Sequence, residues 1–183
     1  MGGYYMKKIT LLSLVFVLCF SISAVLAAEY EVNIDFSYGE SGWGPMGSAV
    51  YYVTNEDAKV GSLSLAVLGR TQTWEGTIFN LSNVLEEGGV YEISLWIKAM
   101  EAAPGAKVWL TCVKDTTTGE AQYSQIAEPV EITSDEWVEL KVEPFEFSLE
   151  GYNSIAFYVE VDDVTASYFM DDITIKGDKP INL

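Results

Sequence analysis

From residue 29 onward, short runs of β-branched and aromatic residues alternate with turn residues every ten or so positions, which predicts strands rather than helices. Strands are expected near 30–36, 48–54, 62–68, 73–80, 90–99, 106–114, 121–131, 137–147, 153–162 and 167–176. Breaks fall at 39–47, Gly61, Gly69, 86–89, 103–105, 116–119, 134–135 and Gly151, and only 81–87 suits a helical turn. About ten strands so spaced predict an all-β fold, a jelly-roll β-sandwich of two antiparallel sheets. One domain is expected over 28–176, with a short tail over 177–183.

Alternation assigns faces, because successive side chains of a strand point to opposite sides. Ile155, Phe157, Val159 and Val161 form one apolar set, so Tyr158 and Glu160 share the other face. Tyr123 and Gln125 likewise share a side, with Ile126 turned inward. In the last strand Phe169, Asp171, Ile173 and Ile175 share parity, and an acid on an apolar face must be paired or metal-bound.

The first residues stand apart from this pattern. Met6-Lys7-Lys8 precedes an apolar run over 9–26, and Val25-Leu26-Ala27 supplies small residues for cleavage. Residues 1–27 are therefore expected to be a signal peptide of a secreted, extracellular protein, with a membrane anchor as the rival reading. The whole chain carries a net charge of −17, and removing Lys7 and Lys8 leaves 8 basic against 27 acidic residues, a net of −19. Such a surface excludes nucleic acid and anionic membranes as partners. Cys112 is left without an intrachain partner once Cys19 departs, and reads as a small buried hydrophobe. The chain has no histidine, which excludes Ser-His and Cys-His catalysis and His-based metal sites.

Candidate chemistry centres on Arg70-Thr71-Gln72-Thr73-Trp74-Glu75-Gly76. Threonines precede and space the Trp74 ring, which reads as held up on a polar strand surface, a stacking platform for a flat ligand face. Trp43, Trp109 and Trp137 are assigned to the core or the sandwich ends. Trp96 shares parity with Ser94 and Lys98 and is a candidate second platform.

Together these residues resemble the family 22 carbohydrate-binding modules, which bind xylan. The resemblance runs from about Val32 to Lys176. It is carried by Gly42-Trp43, Gly61-Ser62-Leu63-Ser64-Leu65, the Arg70 to Gly76 motif, Tyr123-Ser124-Gln125-Ile126-Ala127, Trp137-Val138 and Met170-Asp171-Asp172-Ile173. It implies a jelly roll whose concave cleft binds β-1,4-linked xylan without catalysis, as a monomer. The family's cleft aromatics and acceptor match Trp74, Tyr123, Tyr158 and Glu160, with Gln125 beside them. An expected cleft arginine falls at Met46 and a further tyrosine at Ala156, which implies weaker binding or a different glycan. The resemblance also implies a structural calcium held by Glu56, the Lys59 carbonyl and Asp171, with Asp35 or a nearby carbonyl. The family's first-strand glutamate falls at Ser37, so one ligand is missing.

Two other readings fit the same pattern. A jelly-roll glycoside hydrolase would use Glu160 and Asp162, whose attachment points lie roughly 6–7 Å apart on one strand. Catalytic carboxylates flank a sugar from opposite sides, however, and neighbours on one strand do not. An acidic cell-surface adhesion domain without a glycan role is the other.

Overall fold

The computed structural model describes residues 30–101 and 103–183; the expected leader lies outside the described residues. The described chain folds as twelve strands: β1 Tyr30–Ile34, β2 Trp43–Met46, β3 Val50–Thr54, β4 Ser64–Leu68, β5 Gly76–Asn80, β6 Val90–Ala99, β7 Lys107–Thr116, β8 Ala121–Gln125, β9 Val130–Glu131, β10 Val138–Glu146, β11 Tyr152–Val161 and β12 Tyr168–Gly177. One sheet runs β10-β6-β12-β4-β3 with β1 also on β12; the other runs β2-β5-β11-β7-β8 with β9 also on β7. All strand pairings are antiparallel. This is the expected jelly-roll sandwich.

Two short strands were not expected. β2 occupies what reads as a break, because Gly44 and Pro45 interrupt the apolar pattern. It lies at the edge of its sheet, where a proline without an N–H costs no ladder bond. β9 is a two-residue strand split from the 121–131 run. The 81–87 segment makes one turn, with Val84 and Leu85 N–H groups donating to the Leu81 carbonyl. Residues after β12 fold back: Ile181 bridges to Leu85, and Asn182 N–H donates to the Val84 carbonyl.

The core lies between the sheets. β6 alternates strictly, burying Tyr91, Ile93, Leu95 and Ile97. From the facing sheet come Val108, Leu110, Phe157 and Val159, so the expected inward set of β11 is inward. Each such side chain contributes about 1.5–3 kcal/mol by leaving water. Trp43 is a core residue as expected, packed 5.3 Å from both Phe79 and Phe157. Burial pushes the Cys112 thiol up, consistent with a small hydrophobe.

Parity fails in β12, and the failure has a local cause. Register shifts between Asp171 and Thr174, with Asp172 in the left-handed region at φ 50°. Tyr168 and Met170 face the core before this bulge, Ile173 and Ile175 after it. Asp171 therefore shares the outer face with Phe169, not the core face with Ile173. It is sealed there by the β3–β4 loop, whose Lys59 and Val60 N–H groups donate to its Oδ2 at 2.7 and 2.9 Å. The Asp172 N–H donates to Oδ1 at 2.7 Å.

Candidate functional site

The candidate surface lies on the outer face of the β2-β5-β11-β7-β8 sheet. Cross-strand register aligns Ile78, Tyr158, Thr111 and Gln125 in one row, each directly opposite the next. A parallel row joins Asn80, Ala156, Val113 and Tyr123. On the other side of the first row, Glu160 stands opposite Trp109. The expected residues Tyr123, Gln125, Tyr158 and Glu160 thus come together on one face.

Their exposures divide the work. Tyr123 is 62% exposed and Trp74 40%, whereas Tyr158 is only 3% exposed. Tyr158 and Ala156 are nevertheless absent from the core cluster, so they form a covered floor on the outer side. Thr111 Oγ1 donates to Glu160 Oε1 at 2.6 Å, fixing the carboxylate on that floor. Burial holds the Tyr158 phenol protonated well above its usual range, with the Glu160 carboxylate as the next cause. The Glu160 carboxylate beside this covered phenol presents acceptor oxygens to a hydroxyl.

Trp74 stands on a turn, not on the strand expected over 73–80. β5 begins only at Gly76. The reason is that side chains have claimed the backbone groups a strand would need. Arg70, buried, spends all its donors on carbonyls: Nε on Glu75 at 2.8 Å, Nη1 on Asp163 and Ala166 at 3.0 Å each, Nη2 on Thr73 at 2.9 Å and Val161 at 2.7 Å. Glu75 answers from the other side. Its Oε2 accepts from Thr71 N–H at 2.5 Å, Thr71 Oγ1 at 3.0 Å and Gln72 N–H at 3.1 Å. Its Oε1 accepts from Ser48 N–H and Oγ at 3.1 and 2.6 Å. These bonds, Ser48 first, push the carboxyl down to about 2. Val161 N–H donates to the Thr73 carbonyl at 3.2 Å, placing the turn beside the end of β11. Gly47, at φ 72°, completes the seat: a Cβ there would lie 2.8 Å from Trp74 Cζ3 and 2.6 Å from Glu75 Cγ. The ring is exposed on a turn that is fully tied down, which limits the ordering cost of stacking on it.

Three tryptophan assignments change. Trp109 faces outward, because Val108, Leu110 and Cys112 take the core side of β7. The signal was legible as parity, but the apolar run Val108 to Val113 hid it. Trp96 lies on the opposite sheet and carries the Lys59 ammonium 3.8 Å above its ring, so it is no second platform of this face. Trp137 packs 6.5 Å from Phe169 on the outer side of that sheet rather than in the core. Met46, at the end of edge strand β2, pairs with Gly76 close to the Trp74 turn.

The hydrolase pairing loses its second member. Asp162 Oδ1 accepts the Lys107 N–H at 2.7 Å and is tied to the backbone beyond the end of β11. For the metal set, Lys59 meets Asp171 with its N–H and not its carbonyl. Both Asp171 oxygens accept backbone N–H groups, and among the described residues no three His, Cys, Asp or Glu side chains gather to hold an ion. Backbone donors therefore already satisfy the buried Asp171 carboxylate of the expected calcium set of Glu56, Lys59 and Asp171.

The family described as carbohydrate binding domain matches residues 28–165. The chain belongs to it. The match is to a binding domain and not to a catalytic one. Among curated relatives, endo-1,4-beta-xylanase C of Paenibacillus barcinonensis is 30% identical over 155 residues, 84% of this chain and 14% of that protein. Endo-1,4-beta-xylanase A of Thermoanaerobacterium saccharolyticum is 29% identical over 147 residues, 80% of this chain and 12% of that protein. The chain thus spans a small part of these relatives' length. Among solved structures, the CBM22-1 xylan-binding domain from Paenibacillus barcinonensis superposes with a TM-score of 0.73 at 29% identity, over 81% of this chain and 94% of that one. A Clostridium thermocellum xylanase fragment complexed with xylohexaose shares the fold, with a TM-score of 0.69 at 21% identity over 83% of this chain and 29% of that one.

Proposed function

We propose that the outer face of the β2-β5-β11-β7-β8 sheet binds an extended β-1,4-linked plant cell-wall polysaccharide, xylan before others, without cleaving it. One observation carries the reading: the exposed Tyr123 ring and Gln125 amide share a face with Glu160, whose carboxylate Thr111 orients over the covered Tyr158, and the exposed Trp74 ring stands on a turn tied to the end of β11. Pyranose C–H faces pack on such rings, and the hydroxyls between them need donors and acceptors at the floor. Relatives that are xylan-binding domains of xylanases support the choice of glycan. Met46 and Ala156, in place of an expected arginine and tyrosine, support weaker binding than a full aromatic and cationic set would give.

The protein acts outside the cell as a monomeric binder, a reading supported by the apolar run over 9–26 and the surplus of acids. Among the described residues no helix is long and apolar enough to cross a membrane. Affinity electrophoresis in soluble xylan tests the function: the protein is retarded, and the Trp74→Ala variant, with its fold intact, is not. Unaltered mobility of the native protein across xylan and other β-glycans refutes it.

A further inference from the structure

Among the described residues, Trp109 is an aromatic residue of this face that neither the motifs nor the family pattern brings to the site. It stands directly opposite Glu160 in the β11–β7 register, and Thr111 and Val113 continue its side of the strand. Two residues along a strand displace a side chain by about 6.6 Å. On β7 the polar row of Thr111 and Gln125 is therefore flanked on one side by the Val113–Tyr123 pair and on the other by Trp109.

This register places an aromatic residue on each side of the row. The Tyr123 ring is exposed, the Trp109 ring is half-buried, and between them lie a hydroxyl and an amide. Glu160 lies on the Trp109 side, its Oε1 already held by Thr111. Trp109 stands opposite Glu160 on the β7 side, and the Trp74 turn is tied to the same end of β11 through the Val161 N–H and the Thr73 carbonyl. The opposite side is poor by comparison, with Ala156 against Val113.

We propose that Trp109 is a ligand-stacking residue of this face, taking the sugar ring that passes Glu160 on its way to the β8 edge. The inference rests on the polysaccharide-binding reading and deepens it: the bound chain is gripped at the Glu160 end, by Trp74 and Trp109, with Tyr123 on the other side of the row.

Titration calorimetry with xylotriose and xylohexaose on the native protein, Trp109→Ala and Trp109→Phe tests it. Loss of a stacking ring at the centre of an interface costs about tenfold or more in Kd. The expected result is such a loss for either oligosaccharide that the native protein binds in Trp109→Ala, and near-native affinity in Trp109→Phe. Should Trp109→Ala fail to fold, the indole N–H resonance of Trp109 in the native protein, assigned by its disappearance in Trp109→Phe, is followed instead. It must shift on adding xylohexaose. Native affinity in a folded Trp109→Ala, or an unmoved resonance while the native protein binds, overturns the Trp109 role alone. A native protein that binds neither oligosaccharide overturns this role together with the function it rests on.

Discussion

Arg70→Lys is the substitution that most directly tests how the site is held. Five guanidinium N–H groups meet five backbone carbonyls at 2.7–3.0 Å, drawn from the Trp74 turn, the end of β11 and the segment leading into β12. A lysine keeps the charge but offers three donors from one point, so at least two carbonyls lose their partner. Those of Glu75, Ala166 and Val161 are reached in buried bonds, where no water substitutes. At about 1–3 kcal/mol for each buried group left unsatisfied, two such groups should cost the variant about 2–6 kcal/mol. That is a large share of the ~5–15 kcal/mol that keeps a domain folded.

Urea unfolding gives the stability, and xylan titration of the same preparation gives the affinity. Because the Thr73 and Glu75 carbonyls on either side of Trp74 are among the five, affinity should fall more than the unfolded fraction accounts for. A stability loss below about 1 kcal/mol would refute the five-carbonyl account, since even one orphaned carbonyl costs that much. Lowered stability with native affinity would refute the narrower claim that Arg70 positions Trp74.

The remaining predictions concern the same turn and its surroundings. Trp74→Ala should weaken xylan binding by roughly 30-fold, the ~2 kcal/mol of a central aromatic anchor, and circular dichroism should show an unchanged fold because the ring is 40% exposed. Glu75, held at about 2 against an ordinary 4.5, contributes stability that is complete above pH 4.5 and lost as pH falls towards 2. Glu75→Gln should flatten that part of the stability–pH curve, and an unchanged acid slope in urea titrations would remove Glu75 as its source. Chelation with excess EDTA should leave Tm unchanged, because backbone N–H groups already satisfy Asp171; a clear fall would place a bound cation in the fold.

Alternation read the sandwich and the Tyr158–Glu160 and Tyr123–Gln125 pairs correctly wherever strands ran without interruption, because burial of one face is a strictly local constraint. It failed at Asp171 for the complementary reason. A single left-handed residue, Asp172, shifts the phase, and nothing in Met170-Asp171-Asp172-Ile173 distinguishes a bulge from a regular strand until the neighbour's register is known. Trp74 shows a second kind of blindness. Its segment has strand-like composition, yet Arg70 and Glu75 consume the backbone groups that would have laddered, and their partners Ser48, Asp163 and Ala166 are distant in sequence. The two failures share a consequence for function. In both places a charged side chain bonds to backbone instead of solvent or ligand, so the charges most conspicuous in the sequence serve as braces. The proposed binding surface is left with aromatic rings, Glu160 and uncharged hydroxyls and amides, which suits a neutral polysaccharide even on a chain with a net charge of −17.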